Sequence, residues 1–508
     1  LLLRDAYKLS EICIRIVSRV LIFHPNFIEG RARCNQVLQN LIVAKFGGSA
    51  VGVDGVLIPT IIKRINELKK DAKVITVFSA PLTIYGNKQR SLTDIALILG
   101  QKAEKGESFD TEELRKPYLK ILELVDRKYQ DECKKTIEYF LDKASKSFLE
   151  ALQKKEFANE VRARALAYSG EILMSNVMSY VLKSAGITAD VVNFDSWPII
   201  TDKNIESANF LASQSLQSLK GMESLLEKND VISIGGFIGK TADGLETTYE
   251  RGGSDRTAAD LGILFSKKYN TKIDFEKDSA VLSADPRLVK DELEYIMHLS
   301  YNEARIAGMF GMKILDPIAI KEIVENGVDM PIIITDMGRP DRITTIERRP
   351  GAKNGHPLKI VTGKKNCAIL RMETKSAESL FESLEKDKRY SEFVVLSPFT
   401  KDDIEFTRIL FLDSDYVKRN ERYVLAFDPL ASITYNRGVI TLIGDEMWRV
   451  QQIASKASSR IGEAGLNILN MDAQEETSRI IIVIEDSGDS IERAIRAVHS
   501  ERSKIKFV

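Results

Sequence analysis

The chain has 508 residues, which is room for roughly three domains, each with its own core. Its 73 lysines and arginines balance 73 aspartates and glutamates, so no basic excess points to nucleic acid and no acidic tail points to disorder. Four cysteines (Cys13, Cys34, Cys133, Cys367) lie too far apart for a zinc pattern or a disulfide framework and fit a reducing cytoplasm, and the four histidines stand singly, away from any metal or triad pattern.

Residues 1–40 mix apolar residues with Arg4, Arg15, Arg19, Arg31 and Arg33 and hold no run of about 18 apolar residues, so no membrane span is expected. Asp5, Glu11 and Glu29 argue against a transit peptide. The segment reads as an extension, or as translated sequence upstream of the true start, and no function is assigned to it. Organisation begins at residues 41–46 (LIVAKF), a short buried strand running into Gly47-Gly48-Ser49. A helix follows, with Leu57, Ile58, Ile61, Ile62, Ile65 and Leu68 on one face and Pro59 in its first turn. Strand, glycine loop and helix make a phosphate cradle, though not a P-loop, because the lysine precedes the glycines. Lys45 is either a phosphoryl contact at a strand end or a surface lysine at a sheet edge.

A strand at 74–79 ends on Ser79. A polar loop at 85–90 is long enough to overhang a site, and a helix starts at Ser91, with Asp94 at capping-box spacing. Residues 111–185 are mostly helical, with Ser169-Gly170-Glu171 opening an apolar helix, followed by a strand at 189–193. A buried strand at 231–239 leads to Arg251-Gly252-Gly253-Ser254-Asp255. This glycine-rich turn opens a helix whose first N–H groups can meet an anion, and Arg251 can grip a carboxylate. Alone, the turn reads as structural; Asp255 fits a phosphate site only if it holds cations. A strand at 273–282 precedes Asp285-Pro286-Arg287. Asp316 and Pro317 form an N-cap and first helical position, and 330–335 is expected as the last strand of this unit. Alternating strands and helices predict an α/β fold with a largely parallel sheet and ligands at the strand ends.

Residues 338–363, rich in Pro, Gly and charge, read as linker. Beyond them, strands at 439–444, 467–472, 479–485 and 504–508 with helices at 446–463 and 491–499 give a βαββαβ, ferredoxin-like unit. A less regular copy is expected from strands at 367–373, 393–396, 408–412 and 423–427 and a helix at 377–386.

In order and at fitting spacing, these pieces resemble the aspartate kinase family: an amino-acid kinase fold followed by two ACT regulatory domains. The family's KFGG-T-S-V stands here as Lys45-Phe46-Gly47-Gly48-Ser49-Ala50-Val51, its SGE as Ser169-Gly170-Glu171, and its GRGGSD as Glu250-Arg251-Gly252-Gly253-Ser254-Asp255. Its DPR matches Asp285-Pro286-Arg287. Its SYNEA and FGAKVLHP match Ser300-Tyr301-Asn302-Glu303-Ala304 and Phe310-Gly311-Met312-Lys313-Ile314-Leu315-Asp316-Pro317. The resemblance implies a catalytic domain at 41–346, a linker at 347–363 and regulatory domains at 364–508. It implies MgATP-dependent phosphorylation of the aspartate side-chain carboxylate, the first step toward lysine, threonine and methionine, with Mg2+ carried by ATP and no metal site of the protein's own. Lys45 and Lys313 would flank the transferring phosphoryl and Asp255 would orient them. Arg251 would clamp the substrate α-carboxylate and Glu171 its ammonium, with Ser79, Thr93 and Ser254 lining the pocket. Nucleotide contacts would come from Lys45, Gly47, Gly48, Ser49, Glu276, Lys277, Arg287 and Lys313.

The chain departs from the family where W-T-D-V becomes Phe275-Glu276-Lys277-Asp278, where LHP becomes Leu315-Asp316-Pro317, and where the effector loop Q-G-S-S-E becomes Gln474-Glu475-Glu476-Thr477-Ser478. Lys277 is the feature favouring a second reading, a non-catalytic partner or amino-acid sensor. A third reading is a kinase of the same fold acting on acetylglutamate, carbamate or a nucleotide. The expected partners are L-aspartate, ATP, an amino-acid effector at the ACT domains and further copies of the chain, with neither nucleic acid nor membrane, in the cytoplasm.

Overall fold

The computed structural model describes residues 38–250, 252–348, 356–386, 392–474 and 477–505. Residues 1–37, Arg251, Glu475, Glu476 and the last part of the strand expected at 504–508 lie outside the described residues. Among those described, no helix is long and apolar enough to cross a membrane.

The core is an eight-stranded sheet in the order β11-β13-β12-β10-β1-β2-β7-β5. Its centre is β1 (Asn40–Phe46), an apolar run buried between β2 (Lys73–Phe78) and β10 (Asn270–Lys277), both parallel to it. The glycine loop passes through one helical turn into α1 (Ile58–Leu68), which buries Ile58, Ile61, Ile65 and Leu68 at helical spacing. The loop expected at 85–90 is instead the tip of a hairpin, β3 (Leu82–Tyr85) and β4 (Lys88–Ser91). Ser91 caps α2 (Leu92–Glu104), accepting from the Asp94 amide at 3.0 Å. The helical stretch is α3 (Glu112–Leu122), α4 (Arg127–Lys154), α5 (Asn159–Ser169) and α6 (Glu171–Ser184).

Past β5 (Ala189–Val191) and β6 (Ile200–Thr201), the expected strand at 231–239 is two strands in different sheets. β7 (Val231–Gly235) belongs to the core sheet, but at Gly236 the amide turns to the Phe78 carbonyl (2.8 Å) and Phe237 takes φ 68°. The chain then enters β8 (Ile238–Thr241), which forms a small sheet with β6 and β9 (Glu246–Thr248). Next come α7 (Gly253–Phe265), β10, β11 (His298–Ser300), α8 (Tyr301–Met309) and α9 (Pro317–Glu325). β12 (Ile332–Asp336) is not the last strand. β13 (Ile343–Glu347), inside the stretch read as linker, pairs antiparallel with β12, and every other pairing in the core sheet is parallel.

The tail is one six-stranded antiparallel sheet, ordered β15-β16-β14-β17-β19-β18. Two long central strands, β14 (Ile360–Glu373) and β17 (Ser432–Ile443), serve both ferredoxin-like copies. The first copy runs from the second half of β14 through α10 (Thr374–Lys386), β15 (Phe393–Lys401) and β16 (Ile404–Phe411) to the first half of β17. Residues 423–427, expected as its closing strand, fall largely in a short helix, Glu421–Leu425. The second copy continues through α11 (Ile453–Glu463), β18 (Ile468–Ala473), β19 (Arg479–Glu485) and α12 (Ser490–His499). Its place beside β17 is taken by residues 360–364 of β14, paired from Ile360↔Ile443 to Lys364↔Val439, while Lys504 ends a 3-10 turn. The edge strands touch through one side-chain contact, Ser397 of β15 donating to Asp472 of β18 at 2.7 Å.

β10 is fixed to α1 by a buried ion pair. Arg64 holds Glu276 with contacts of 2.7 and 3.1 Å, and the two side chains are 9% and 0% exposed. Breaking such a pair strands a buried charge, so Arg64→Ala should cost about 3–5 kcal/mol in urea unfolding, and Arg64→Met with Glu276→Leu should recover most of it. A loss below about 1 kcal/mol in the single variant would show that the pair does not fix these elements.

Candidate active site

The parallel strands β1, β2, β7 and β10 end side by side, and the residues at their C-terminal ends build the site. Lys45 sits in β1 level with Val77 and Phe275, and its Nζ reaches Asp255 Oδ1 at 2.8 Å. Asp255 lies in the first turn of α7, where the helix dipole favours a carboxylate. Its other oxygen accepts the Asp316 amide at 3.1 Å, which ties α7 to the start of α9. The turn before α7 requires Gly252: φ is 100°, and a Cβ there would stand 3.4 Å from Asp316 Oδ2. Asp316 caps α9 by accepting the Ile318 amide at 2.9 Å, as the Asp-Pro spacing implied. Burial and the neighbouring Asp255 charge push its carboxyl up to about 6.

Lys277, at the end of β10, joins this cluster. Its ammonium donates to the Ile314 carbonyl and, at 3.5 Å, to the Lys313 carbonyl. Burial pulls its pKa down, with the Lys45 charge acting in the same sense and Asp255 opposing. Burial pushes the Asp255 carboxyl up, but Lys45 and Lys277 outweigh it and hold Asp255 below the usual carboxylate range. One ionised carboxylate therefore sits in the field of two lysines.

A second group lies around the end of β7. Glu171, 4% exposed at the start of α6, accepts from Thr93 Oγ1 (3.2 Å) and the Ala80 amide (3.3 Å) through Oε1. Its Oε2 is sealed from solvent and has no partner among the described residues. Burial pushes this carboxyl up to about 7. Gly235 and Gly236 let the groups crowd together: a Cβ on the first would lie 2.8 Å from the Glu171 backbone, and one on the second 2.6 Å from Ser254 Cβ. Ser79 adjoins Ala80, its amide bound to the Phe46 carbonyl at 3.1 Å. Lys45, Asp255 and Lys277 thus form one group and Glu171 and Thr93 a second, with Ser79 adjoining the Ala80 amide that Glu171 accepts.

The other sequence candidates are placed differently. Glu276 is a correction: strand alternation puts it on the sheet face opposite Lys45 and Lys277, where Arg64 occupies it. Arg287 is 68% exposed and ion-paired with Asp285 at 2.5 Å, so its guanidinium is spent within its own turn. Lys313 is exposed on the loop that receives Lys277, within electrostatic reach of Asp285. Gly47 and Gly48 follow β1, and a Cβ on Gly47 would stand 3.2 Å from the Lys45 ammonium; Ser49 is exposed beside them. Arg251 lies outside the described residues. Sequence reasoning missed the Asp316 amide and the brace behind it, Arg256 of α7 to Glu322 of α9 at 2.6 Å. The adjacency of Arg256 to the GGSD turn was the one available signal.

The model of the Amino acid kinase family matches residues 40–336, more than half of the chain. The chain is similar to an aspartokinase of Rickettsia felis, 28% identical over 64% of this chain and 79% of that one. It is also similar to a chloroplastic bifunctional aspartokinase/homoserine dehydrogenase 2 of Arabidopsis thaliana, 24% identical over 90% of this chain, and spans only half of that protein's length. Among solved structures, E. coli aspartokinase III in complex with aspartate and ADP shares its fold, with a TM-score of 0.72 at 17% identity over 91% of this chain and 99% of that one. With the family model matched across the sheet that carries the site, the chain belongs to the amino acid kinase family.

Proposed function

We propose that the chain is an aspartate kinase, transferring the γ-phosphoryl group of MgATP to the side-chain carboxylate of L-aspartate. The observation that carries this reading is the pairing of the Lys45–Asp255–Lys277 cluster with a buried carboxylate, Glu171, whose Oε2 has no partner among the described residues. An acidic amino acid needs both, cations for its reacting carboxylate and an anion for its ammonium.

In this reading an oxygen of the β-carboxylate attacks the γ-phosphorus as the bond to the ADP oxygen breaks. The carboxylate is already ionised, so the protein supplies no base. What it supplies is positive charge fixed before the reaction begins. Lys45 and Lys277 meet the transferring oxygens, Lys313 approaches from the exposed loop, and Asp255 keeps the lysines from parting. Glu171 takes the ammonium, with Thr93, Ser79 and Ser254 around it, and Arg251 takes the α-carboxylate. The Gly47-Gly48 approach and the lysines suit a triphosphate. Mg2+ would enter on the nucleotide, carried by its phosphates. A sensor reading would have Lys277 block the pocket; held by the Ile314 carbonyl within the field of Asp255, it instead adds a cation to the cluster. We further propose residues 41–346 as catalytic and, because β14 opens at Ile360 and not at the 364 expected from sequence, residues 360–508 as regulatory and self-associating, with an amino-acid effector at the tail. Cytoplasmic residence is supported by the buried free thiols Cys133 and Cys367, both pushed up to about 12 by burial.

The direct test is to trap the acyl phosphate with hydroxylamine. Hydroxylamine should trap an acyl phosphate with L-aspartate and MgATP, as aspartyl hydroxamate, and none with acetylglutamate or carbamate as acceptor; ATP binding with no hydroxamate from aspartate would overturn the reading. Lys45→Ala should keep the fold by circular dichroism and lose about 10²–10³ in turnover, and activity within a few-fold of the parent would remove Lys45 from the mechanism. Glu171 titrates above its ordinary 4.5, so the neutral acid predominates in the empty site below about pH 7. Only the carboxylate binds an ammonium, so KM for aspartate should fall about tenfold from pH 6 to 8, and Glu171→Gln should raise and flatten it. An unchanged slope in that variant would contradict the assignment. Finally, Lys277 can only donate and cannot accept from a ribose hydroxyl, so 2′-deoxy-ATP should compete within about tenfold of ATP. Rejection of 2′-deoxy-ATP beyond about a hundredfold would refute this account of the loop.

A further inference from the structure

Glu171 is placed by the turn before it, where α5 ends at Ser169 and α6 begins, with Gly170 between them. A helix leaves its last carbonyls without partners inside the helix, and a buried carbonyl needs a donor from elsewhere. Here the donor is Tyr118 of α3, whose hydroxyl reaches the Ser169 carbonyl and the Gly170 carbonyl, each at 2.9 Å. The Gly170 carbonyl also accepts the Met174 amide at 2.9 Å. Tyr118 is fully buried, and burial, followed by the Glu171 charge, pushes its pKa up, so it stays a donor. The helix that carries it is anchored to the chain beyond the glycine loop. Lys120 pairs with Asp54 at 2.5 Å, and a Cβ on Gly55 would stand 2.6 Å from Ile121 Cγ1.

The turn is packed closely on its other neighbours. A Cβ on Gly170 would stand 3.2 Å from Ala80 Cβ and 3.7 Å from Thr93 Oγ1. Ala80 and Thr93 are the two donors to Glu171 Oε1, so a shift of the turn alters both bonds and the aim of Oε2, which has no partner among the described residues. We propose that Tyr118 is a positioning residue for the acceptor substrate: its hydroxyl fixes the Ser169-Gly170 turn, which aims Glu171 at the substrate ammonium and sets the preference for an acceptor that carries one. This role rests on the aspartate kinase reading, in which Glu171 takes the ammonium. The ring fills space with or without its oxygen, so Tyr118→Phe isolates the hydroxyl. Two buried carbonyls then lose a donor, a change worth about tenfold in an equilibrium.

The test compares the full chain with Tyr118→Phe and with Tyr301→Phe, which removes another buried hydroxyl, bonded to the Met330 carbonyl at 2.5 Å. Calorimetry gives the affinity for L-aspartate and for succinate, which keeps both carboxylates and lacks the ammonium. Hydrogen–deuterium exchange reads the amides of residues 166–176. In Tyr118→Phe, aspartate binding should weaken about tenfold and succinate binding by no more than about twofold, with faster exchange at the turn. The turnover rate at saturating aspartate should stay within about threefold, because the lysine cluster is untouched. Tyr301→Phe should leave the ratio of aspartate to succinate affinity as it is in the parent. A general loosening would weaken both ligands alike; that result, or unchanged exchange at the turn, overturns the role of Tyr118. A parent that yields no aspartyl hydroxamate would remove the aspartate reading, and exchange would still decide whether Tyr118 holds the turn, faster exchange upholding it and unchanged exchange overturning it.

Discussion

The ion pair between Lys45 and Asp255 is the constraint on which the rest of the site depends. Lys45 comes from the central strand and Asp255 from a helix that begins after a left-handed glycine, so their 2.8 Å contact fixes strand and helix together. Two buried charges are expensive to desolvate, and the pair alone does not repay that cost. It persists because Asp255 also accepts the Asp316 amide, sits at a helix start, and lies within the field of Lys277. The outcome is two like charges near one ionised carboxylate, Lys45 bonded to it and Lys277 kept within its field by the Ile314 carbonyl.

The braces behind this cluster divide by sheet face. On the site face, Arg256 and Glu322 tie α7 to α9, so the Asp316 amide cannot drift from Asp255. On the opposite face, Arg64 and Glu276 lock α1 to β10, which fixes the strand whose next residue is Lys277. Farther out, Glu303 joins the start of α8 to Lys359 and Asp445 of the tail. The loop after α8 supplies the carbonyl that holds Lys277. The tail is therefore linked to the site through α8 and the loop after it, beside a second contact in which Ser283 meets Val361 and His499.

The parts legible in the sequence were those set by local periodicity and capping. The apolar run of β1, the one-sided isoleucines of α1, the Ser91 cap and the Asp316-Pro317 start are where the pattern put them. Misses came where pairing partners far along the chain decide. A continuous apolar run at 231–239 gives no sign that residues 235 and 238 belong to different sheets. β13 sits in a stretch whose composition says linker, because its five residues are held by backbone pairing to β12 on one side and β11 on the other, which local composition does not show. The second ferredoxin-like copy is completed by β14, from before the first copy, which no local signal could reveal. One miss was avoidable: Glu276 and Lys277 are neighbours in a strand, so only one could face Lys45.

The central claim is that Asp255 acts by holding the lysines and not by binding nucleotide itself. Asp255→Asn keeps the shape and the acceptor for the Asp316 amide while removing the charge. Calorimetry and single-turnover kinetics on this variant separate binding from chemistry. The account predicts MgATP affinity within about tenfold of the parent, or tighter, and a phosphoryl-transfer rate lower by about 10²–10³. An unchanged transfer rate, or loss of nucleotide binding with chemistry intact, would contradict it.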